Sequence, residues 1–280
     1  MKRAYLYILS AFVIAFCFAG TGDFLIAENF YLKKGDKLNM KLFSGPQQAG
    51  QELYQSPKSR QAEFALYDGS KKIPLTASLS DTAIAVNNFE MANSGLALLQ
   101  CTQTATQEVD RYDLAQYLEQ EGLTASGQTV KDMNTDMVTE TRHSFYKTLV
   151  SVEKPSGGNY DKLLGDELEI ILKSNPYKMN YGDDVTAVLY QKGKPLAGAT
   201  LMVYVKTPKG SVYPEKLTTN DEGIVFFKLS REGIYLIRNL QVTVDKNDEV
   251  QSWWASYSFA FSSANDLPNS YKEFGFGRYH

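Results

Sequence analysis

Histidine and cysteine side chains are the first groups in this sequence that could hold a transition metal. The two histidines, His143 and His280, share no local spacing with each other or with Cys101. A zinc or nickel site built from nitrogen and sulfur ligands would therefore need distant parts of the chain to meet. The sequence favours a structural role for His143, hydrogen-bonded or solvated, and a buried structural thiol at Cys101.

Oxygen ligands offer a second kind of metal site. The segment 245–249 is acidic and rich in oxygen donors, although it lacks the glycine and glutamate spacing of a calcium hand. A hairpin turn is the simpler interpretation of that segment. A cut after Gly22 would give Asp23 a free α-amine beside its carboxylate. The candidate metal ligands are therefore Asp23, His143, Asp245 and Asp248.

Motifs of enzyme chemistry are missing from the sequence. It contains no Gly-x-Ser-x-Gly elbow and no phosphate-cradling glycine loop, and His143 is its only plausible general base. A pair of carboxylates for glycoside cleavage would be created only by the fold, so that alternative stays open. We predict that the protein is not an enzyme.

Aromatic side chains are numerous, with 18 tyrosines in 280 residues. Exposed aromatic rings suit carbohydrate and protein partners. The alternation along 253–262 places Trp254 on the polar side of a strand, either as a ligand or domain contact or as a cover for its own sheet. The candidate binding aromatics are Tyr54, Tyr67, Trp254 and Tyr257.

The first 22 residues predict an export signal, because Lys2 and Arg3 precede an uncharged apolar run. An uncleaved membrane anchor is the alternative, since the run is nearly long enough to span. Cleavage would change the formal charge from −3 to about −5, which argues against nucleic acid and anionic membranes as partners. Cys101 would then be the sole cysteine, so no intramolecular disulfide is expected. We predict a periplasmic protein with no membrane span in its mature chain.

Length and turn composition predict a mainly β fold of two β-sandwich domains, Ig-like or prealbumin-like. The N-terminal domain would cover 23–164 with one or two helices, the C-terminal domain 165–262, and 263–280 would be a tail. One helix is predicted over 110–121 and ends at Gly122. The segment 139–152 fits both the helical and the strand period.

The stretch 168–240 carries the turn chemistry of a complete β-module. Its order is Gly-Lys-Pro-Leu-Ala-Gly-Ala at 193–199, a strand, Thr-x-Asn-Asp-x-Gly at 218–223, a strand, and Gly-x-Tyr at 233–235. This order resembles the prealbumin-like β-sandwiches of carboxypeptidase regulatory domains and bacterial surface proteins. The resemblance implies a fold and says little about function.

Motifs in both halves resemble a periplasmic family of domains of unknown function that is associated with nickel or cobalt uptake. They include Asp-Phe at 23–24, Leu-Lys-Lys-Gly-Asp at 32–36, Tyr-Leu-Glu-Gln-Glu-Gly-Leu at 117–123, and Ser-Trp-Trp-Ala-Ser-Tyr-Ser-Phe at 252–259. The resemblance covers nearly all of 23–262. It implies a periplasmic accessory component of transport, with a nickel or cobalt ion as ligand and an envelope transport protein as partner.

Two positions depart from that family's pattern. Similar proteins open with a His before Asp-Phe-Trp and carry another His late in a strand. Gly22 and Leu25 replace the first pattern here, and Gln241 stands at the second position. The family's metal role therefore cannot be carried onto these positions. The candidate binding residues are Gln241, Trp254 and Tyr257.

Three functions follow from the sequence, in order of preference. The first is an exported binding or accessory component for transport. The second is a cell-envelope module that recognises carbohydrate or protein through exposed aromatic rings, and the third is a purely structural envelope protein.

Overall fold

The computed structural model describes residues 23–43, 62–76, 78–79, 84–245 and 249–263. The predicted signal peptide, Tyr54, Asp248, His280 and the tail beyond residue 263 lie outside these residues. The described part is mainly β with two α-helices, which confirms the predicted fold class. No helix in it is long and apolar enough to span a membrane.

The described residues form seventeen strands, two α-helices, and 3₁₀ turns at Asn159–Asp161 and Pro176–Lys178. In chain order the strands and helices are β1 (Phe24–Ala27), β2 (Tyr31–Leu32), β3 (Lys37–Phe43), β4 (Ala62–Asp68), β5 (Lys71–Leu75), β6 (Ser78–Leu79), β7 (Ile84–Glu90), β8 (Gly95–Asp110), α1 (Arg111–Gln120), α2 (Thr124–Lys131), β9 (Met137–Val152), β10 (Leu168–Leu172), β11 (Asp184–Gln191), β12 (Lys194–Pro195), β13 (Thr200–Lys206), β14 (Val212–Thr218), β15 (Ile224–Lys228), β16 (Gly233–Val244) and β17 (Val250–Phe261).

A nine-stranded sheet forms the centre of the molecule. Its strand order is β14-β13-β16-β17-β9-β8-β4-β5, and β2 also pairs with β9. Strands β9 and β17 run parallel, and β2 runs parallel to β9; the remaining pairs in this sheet are antiparallel. The sheet therefore joins strands from both sides of the predicted boundary between residues 164 and 165. The division into two domains stays a prediction.

A smaller sheet packs on each face of the central sheet. Both helices and strands β1, β3 and β7 of the sheet β1-β3-β7-β6 contribute to one hydrophobic core, together with Leu99, Tyr146 and Trp254 of the central sheet. Strands β10, β11 and β15 contribute to a second core with Leu98 and Leu149. We call these two sides the helix face and the β10 face. Because both are covered, β9 is buried on both sides over 146–152 and β17 over 254–261.

Helix α1 begins and ends as the sequence predicts. The Asp110 carboxylate accepts hydrogen bonds from the backbone N–H groups of Tyr112 (2.8 Å) and Asp113 (3.1 Å), which caps the helix. Gly122 follows the helix with a φ of +83°, and Leu123 N–H donates to the Leu118 carbonyl at 2.8 Å. The cap and the glycine therefore determine the two ends of α1.

Candidate functional site

The predicted metal ligands do not come together among the described residues. The Asp23 carboxylate lies on the helix face, 3.6 Å from the Arg142 guanidinium. His143, the next residue on β9, points to the β10 face, where its ring stacks on Trp253 at 5.5 Å and its Nε2 lies 3.1 Å from Gln251 Oε1. The Asp245 carboxylate accepts the Glu249 N–H at 3.0 Å, as in a hairpin turn. The described residues contain no group of three metal-ligating side chains.

Gln241 joins a row of polar and aromatic side chains on the β10 face. The strand register places it opposite Trp253, which in turn lies opposite His143. Gln241 Nε2 donates to Asn239 Oδ1 at 3.1 Å, and Trp253 Nε1 donates to Glu167 Oε2 at 2.9 Å. These side chains hydrogen-bond to one another and to their neighbours, and Trp254 is not among them.

The expectation of exposed binding aromatics is wrong for the described candidates. Tyr67 is 7% exposed, Trp254 3% and Tyr257 0%. The alternation at 253–262 was correctly predicted, but its polar side is covered by the helices and by β1. Trp254 therefore covers its own sheet inside the core and presents no ring to a carbohydrate or protein partner.

Five charged side chains surround Trp254 on the helix face, and each is at most 8% exposed. We call this group the buried charged layer: Asp23, Glu121, Glu140, Arg142 and Arg238. Asp23 immediately precedes β1, and Glu121 immediately follows α1. Glu140 and Arg142 lie on β9, and Arg238 lies on β16.

The two arginines of the layer come from the strands that flank β17, and both approach the Trp254 indole. The Arg142 guanidinium carbon is 3.9 Å from the centroid of the Trp254 ring system, and that of Arg238 is 5.9 Å away. Tyr117 stacks on Trp254 with centroids 5.4 Å apart, so α1 packs directly on the layer. Cation–π interactions between a guanidinium and an aromatic ring are stronger when both groups are removed from water.

The carboxylates of the layer have hydrogen-bond or ion-pair partners. Glu121 Oε1 accepts from Arg238 Nη2 at 2.9 Å. Glu140 accepts from Ser252 Oγ at 2.5 Å and from Gln107 Nε2 at 2.8 Å. Such pairing is what permits charges to remain buried.

Burial opposes the positive charge of both arginines, but their surroundings outweigh it. The phenol of Tyr146 and the carboxylates of Asp23 and Glu140 raise the pKa of Arg142. Glu121 likewise raises the pKa of Arg238 against the effect of burial. Both guanidiniums therefore remain charged at neutral pH.

Three neutral polar side chains beside the layer lack hydrogen bonds to the described residues. They are Gln103, of which neither the amide nitrogen nor the amide oxygen is bonded, and the hydroxyls of Ser144 and Ser256. Gln103 is 4% exposed, Ser144 0% and Ser256 2%. The register places Gln103 opposite Ser144 and Ser144 opposite Trp254, so they share the helix face. Buried polar atoms in this state call for a bound water or ligand.

Sequence reasoning missed most of this site. It considered Asp23 and Trp254 separately, and it gave no role to Gln103, Glu121 or Glu140. The available signal was Glu140-x-Arg142-x-Ser144, three polar residues on one side of a segment rich in β-branched and aromatic residues. That pattern is typical of a strand with a polar face, whereas here the face is buried.

Together, the fold and the layer define a class of mainly β protein with a buried, charge-paired polar site. The chain belongs to the family described as Domain of unknown function (DUF4198), whose profile matches residues 24–243. Membership in a family of domains of unknown function is thus confirmed. Nickel or cobalt uptake and a prealbumin-like C-terminal domain stay predictions.

Similarities to solved structures are remote. The D0-D1 domain of intimin is 11% identical, with a TM-score of 0.22, over 85% of this chain and 97% of that one. Titin domains z1z2 in complex with telethonin are 9% identical, with a TM-score of 0.18, over 86% of this chain and 96% of that one. A protein from Corynebacterium diphtheriae described as putative membrane anchored is 10% identical, with a TM-score of 0.21, over 89% of this chain and 61% of that one. Scores this low carry no argument about this chain. No curated protein matches it.

Proposed function

We propose that this protein is an exported, non-catalytic component of the bacterial envelope that binds a small polar solute as an accessory to transport. The observation that supports the proposal is Gln103, whose amide is buried beside the charged layer with neither donor nor acceptor used. An amide left in this state costs about 1–3 kcal/mol of stability, and a solute that bonds to it would offset that cost.

The chemistry of the layer favours a neutral hydrogen-bonding solute. Arg238 is paired with Glu121, and Arg142 lies beside Asp23. The atoms that still need partners are therefore the Gln103 amide and the hydroxyls of Ser144 and Ser256. Together they offer both donors and acceptors, which suits a small amide or polyol better than an ion.

A nickel or cobalt ion, the ligand that the family resemblance implies, is less well supported by the described side chains. Asp23 and His143 lie on opposite faces of the central sheet, and Asp23 lies beside a guanidinium that would repel a cation. Nitrogen and carboxylate ligands within about 2 Å of one ion are what such a site needs. Metal cargo is therefore the competing outcome in the test.

No catalytic step is part of the proposal. The carboxylates of Glu121 and Glu140 are held by hydrogen bonds from Arg238, Ser252 and Gln107. A general acid or base must instead reach a substrate proton. Export to the periplasm and an envelope transport partner rest on the basic head and apolar run of residues 1–22 and on the resemblance.

The test is native mass spectrometry of mature protein isolated from periplasmic extract, followed by calorimetric titration of the solute found. Gln103→Leu should lose the bound solute, while Gln116→Leu, an exposed change of the same kind on α1, should keep it. Nickel and cobalt are titrated in parallel into the wild type and into Asp23→Asn and His143→Ala variants.

Two results would contradict the proposal. One is a protein that carries no solute and binds none. The other is tight nickel or cobalt binding that depends on Asp23 or His143 and is unaffected by Gln103→Leu. Recovery of the protein only in the cytoplasm would contradict the proposed export.

A further inference from the structure

A cleft of about 240 Å³ opens where the two sheets of the C-terminal half part at their edges. On one side lie β13 and β14 of the central sheet, and on the other lie the end of β15 and the turn that follows it. Among the described strands, β14 pairs only with β13 and β15 only with β11, so neither edge is closed by a neighbour. We call this space the edge cleft. It is separate from the buried charged layer and independent of the proposed function.

The floor of the edge cleft is apolar and aromatic. Val203, Val205, Phe227 and Tyr235 line it, and each is at most 8% exposed. Tyr235 stacks on Phe227 with ring centroids 6.1 Å apart. The space is larger than the cavity of about 150 Å³ that holds a benzene molecule in an apolar core. A phenyl or branched aliphatic group would therefore fit on this floor.

The rim carries a guanidinium without a carboxylate partner among the described residues. Arg231 lies with its guanidinium carbon 3.9 Å from the centroid of Tyr213, which is 41% exposed, and its Nη1 donates to Ser230 Oγ at 3.3 Å. Stacking of this kind holds the planar fork in place. Lys228, the other cation of the rim, is paired with Asp184 at 2.9 Å.

A carboxylate on the same cleft also lacks an ion pair within the described chain. Glu215 lies opposite Val203 in the register of β14 and β13, which places it on the inner side of an edge strand. An inward charge on an edge strand discourages pairing with other chains. Protection of the edge explains the charge of Glu215. It does not explain why the Arg231 guanidinium lies over the same cleft without a carboxylate partner among the described residues.

We propose that the edge cleft binds a hydrophobic α-amino acid. Arg231 donates paired N–H hydrogen bonds to the ligand's carboxylate, Glu215 accepts hydrogen bonds from its ammonium, and the ligand's side chain lies on Phe227 and Tyr235. A dipolar ligand of this kind satisfies both unpaired charges at once, whereas a simple acid or amine satisfies only one. The apolar floor selects a side chain such as that of phenylalanine or leucine.

The test is calorimetric or NMR titration with L-phenylalanine, phenylacetate, phenethylamine and glycine. L-Phenylalanine should bind in a saturable manner, and the three probes that lack a charge or the side chain should bind more weakly. Arg231→Gln and Glu215→Gln should each weaken L-phenylalanine binding by about tenfold, the size expected for loss of a charge-assisted hydrogen bond. Arg231→Gln should leave phenethylamine binding unchanged, and Glu215→Gln should do the same for phenylacetate.

Both substituted residues are exposed, so the variants should fold, and thermal unfolding will check this. Lys194→Gln and Glu222→Gln make the same charge changes at exposed positions that do not line the cleft. No saturable binding of L-phenylalanine or L-leucine at about 10 mM would overturn the proposal. Equal affinities for L-phenylalanine in the wild type and both cleft variants would overturn it as well.

Discussion

Lys147 Nζ lies 2.5 Å from Glu169 Oε1, and this contact fastens the chain on both sides of the predicted domain boundary to the central sheet. Each side chain is 2% exposed. Glu169 also accepts backbone hydrogen bonds from Leu164 at 2.5 Å and Gly165 at 3.1 Å. Burial lowers the pKa of Lys147, and Glu169 opposes that shift. A buried ion pair thus ties the start of β10 and the segment before it to β9.

Lys147→Met should lower the free energy of unfolding by about 3–5 kcal/mol. The reason is that Glu169 would keep its burial and lose its cationic partner, and breaking a buried pair from one side is the costly case. Urea unfolding followed by circular dichroism measures the change. The surface variant Lys228→Met, which removes a cation from an exposed pair with Asp184, should cost no more than about 1 kcal/mol.

The double variant Lys147→Met/Glu169→Leu tests the cause. Replacing both partners with apolar side chains removes the unpaired charge, so the double variant should be more stable than Lys147→Met alone. A double variant that is less stable than the single one would show that the backbone bonds to Glu169, rather than the pair, account for the loss.

Asp166, three residues before Glu169, should make the stability of the protein depend on pH on the acid side. Burial raises the pKa of its carboxyl to about 6, although Lys147 and a hydrogen bond from Gln100 oppose the shift. The Gln100 amide lies 2.8 Å from both carboxylate oxygens. An unfolded Asp titrates near about 3.9. Between these two pH values the folded protein binds more protons than the unfolded one.

The contribution of Asp166 to the free energy of unfolding should therefore fall as the pH rises from about 4 to about 6 and stay level above that. The expected change is on the order of 1 kcal/mol, since the group is only partly buried. Asp166→Asn should remove this slope and be relatively more stable at neutral pH. Asp221→Asn, an exposed change in a turn, should leave the slope intact. Chemical unfolding across this pH range measures both variants.

Local turn and capping chemistry predicted much of the fold from sequence. Helix α1 ends before Gly122 as predicted, and strands alternate with the turn motifs of the 168–240 module in the predicted order. The Asp-Gly pair at 68–69, a local hairpin signal, joins β4 and β5. The signals at these places are local, because φ and capping preferences depend on a few adjacent residues. They could be interpreted without knowing which strands pair.

Elements whose signal depends on partners were not predicted. Strand β14 has no counterpart in the predicted module, because an edge strand needs little apolar surface and this one is mostly exposed. Helix α2 was missed as well, and its first residue follows Leu123, which provides no side-chain cap. The segment 139–152 fitted both periods because β9 is buried on both faces over 146–152, so its apolar residues do not alternate cleanly there. The buried charged layer could not be predicted for the same reason, since its five residues come from four separate places in the chain that only the fold brings together.

Gln103 provides a stability test of the candidate site. In protein freed of solute, Gln103→Leu should raise the free energy of unfolding by about 1–2 kcal/mol, because a buried amide without partners is replaced by an apolar group of similar volume. The same variant should no longer be stabilised by the solute that stabilises the wild type.

Gln100→Leu is the matched control. The Gln100 amide is hydrogen-bonded to Tyr67 and Asp166, so its replacement should destabilise the protein. Thermal and urea unfolding with and without solute distinguish the two. A destabilised Gln103→Leu variant would mean that ordered water already satisfies this amide.

Among the described glycines, Gly233, the first residue of β16, is the one least able to accept a side chain. Its φ is +150°, and an added Cβ would lie 2.2 Å from the Lys206 carbonyl oxygen. That oxygen belongs to the neighbouring strand β13, so relief requires the two backbones to separate where the central sheet is paired. Gly233→Ala should therefore lower the free energy of unfolding by about 3 kcal/mol or more.

Gly182→Ala is the control, because Gly182 also has a positive φ, +91°, but an added Cβ there would meet nothing within 4 Å. Its cost should be only about 1 kcal/mol, the price of the backbone conformation itself. Urea unfolding of the two variants separates steric exclusion from conformational preference, and equal losses would show that close packing against β13 does not determine the glycine at position 233.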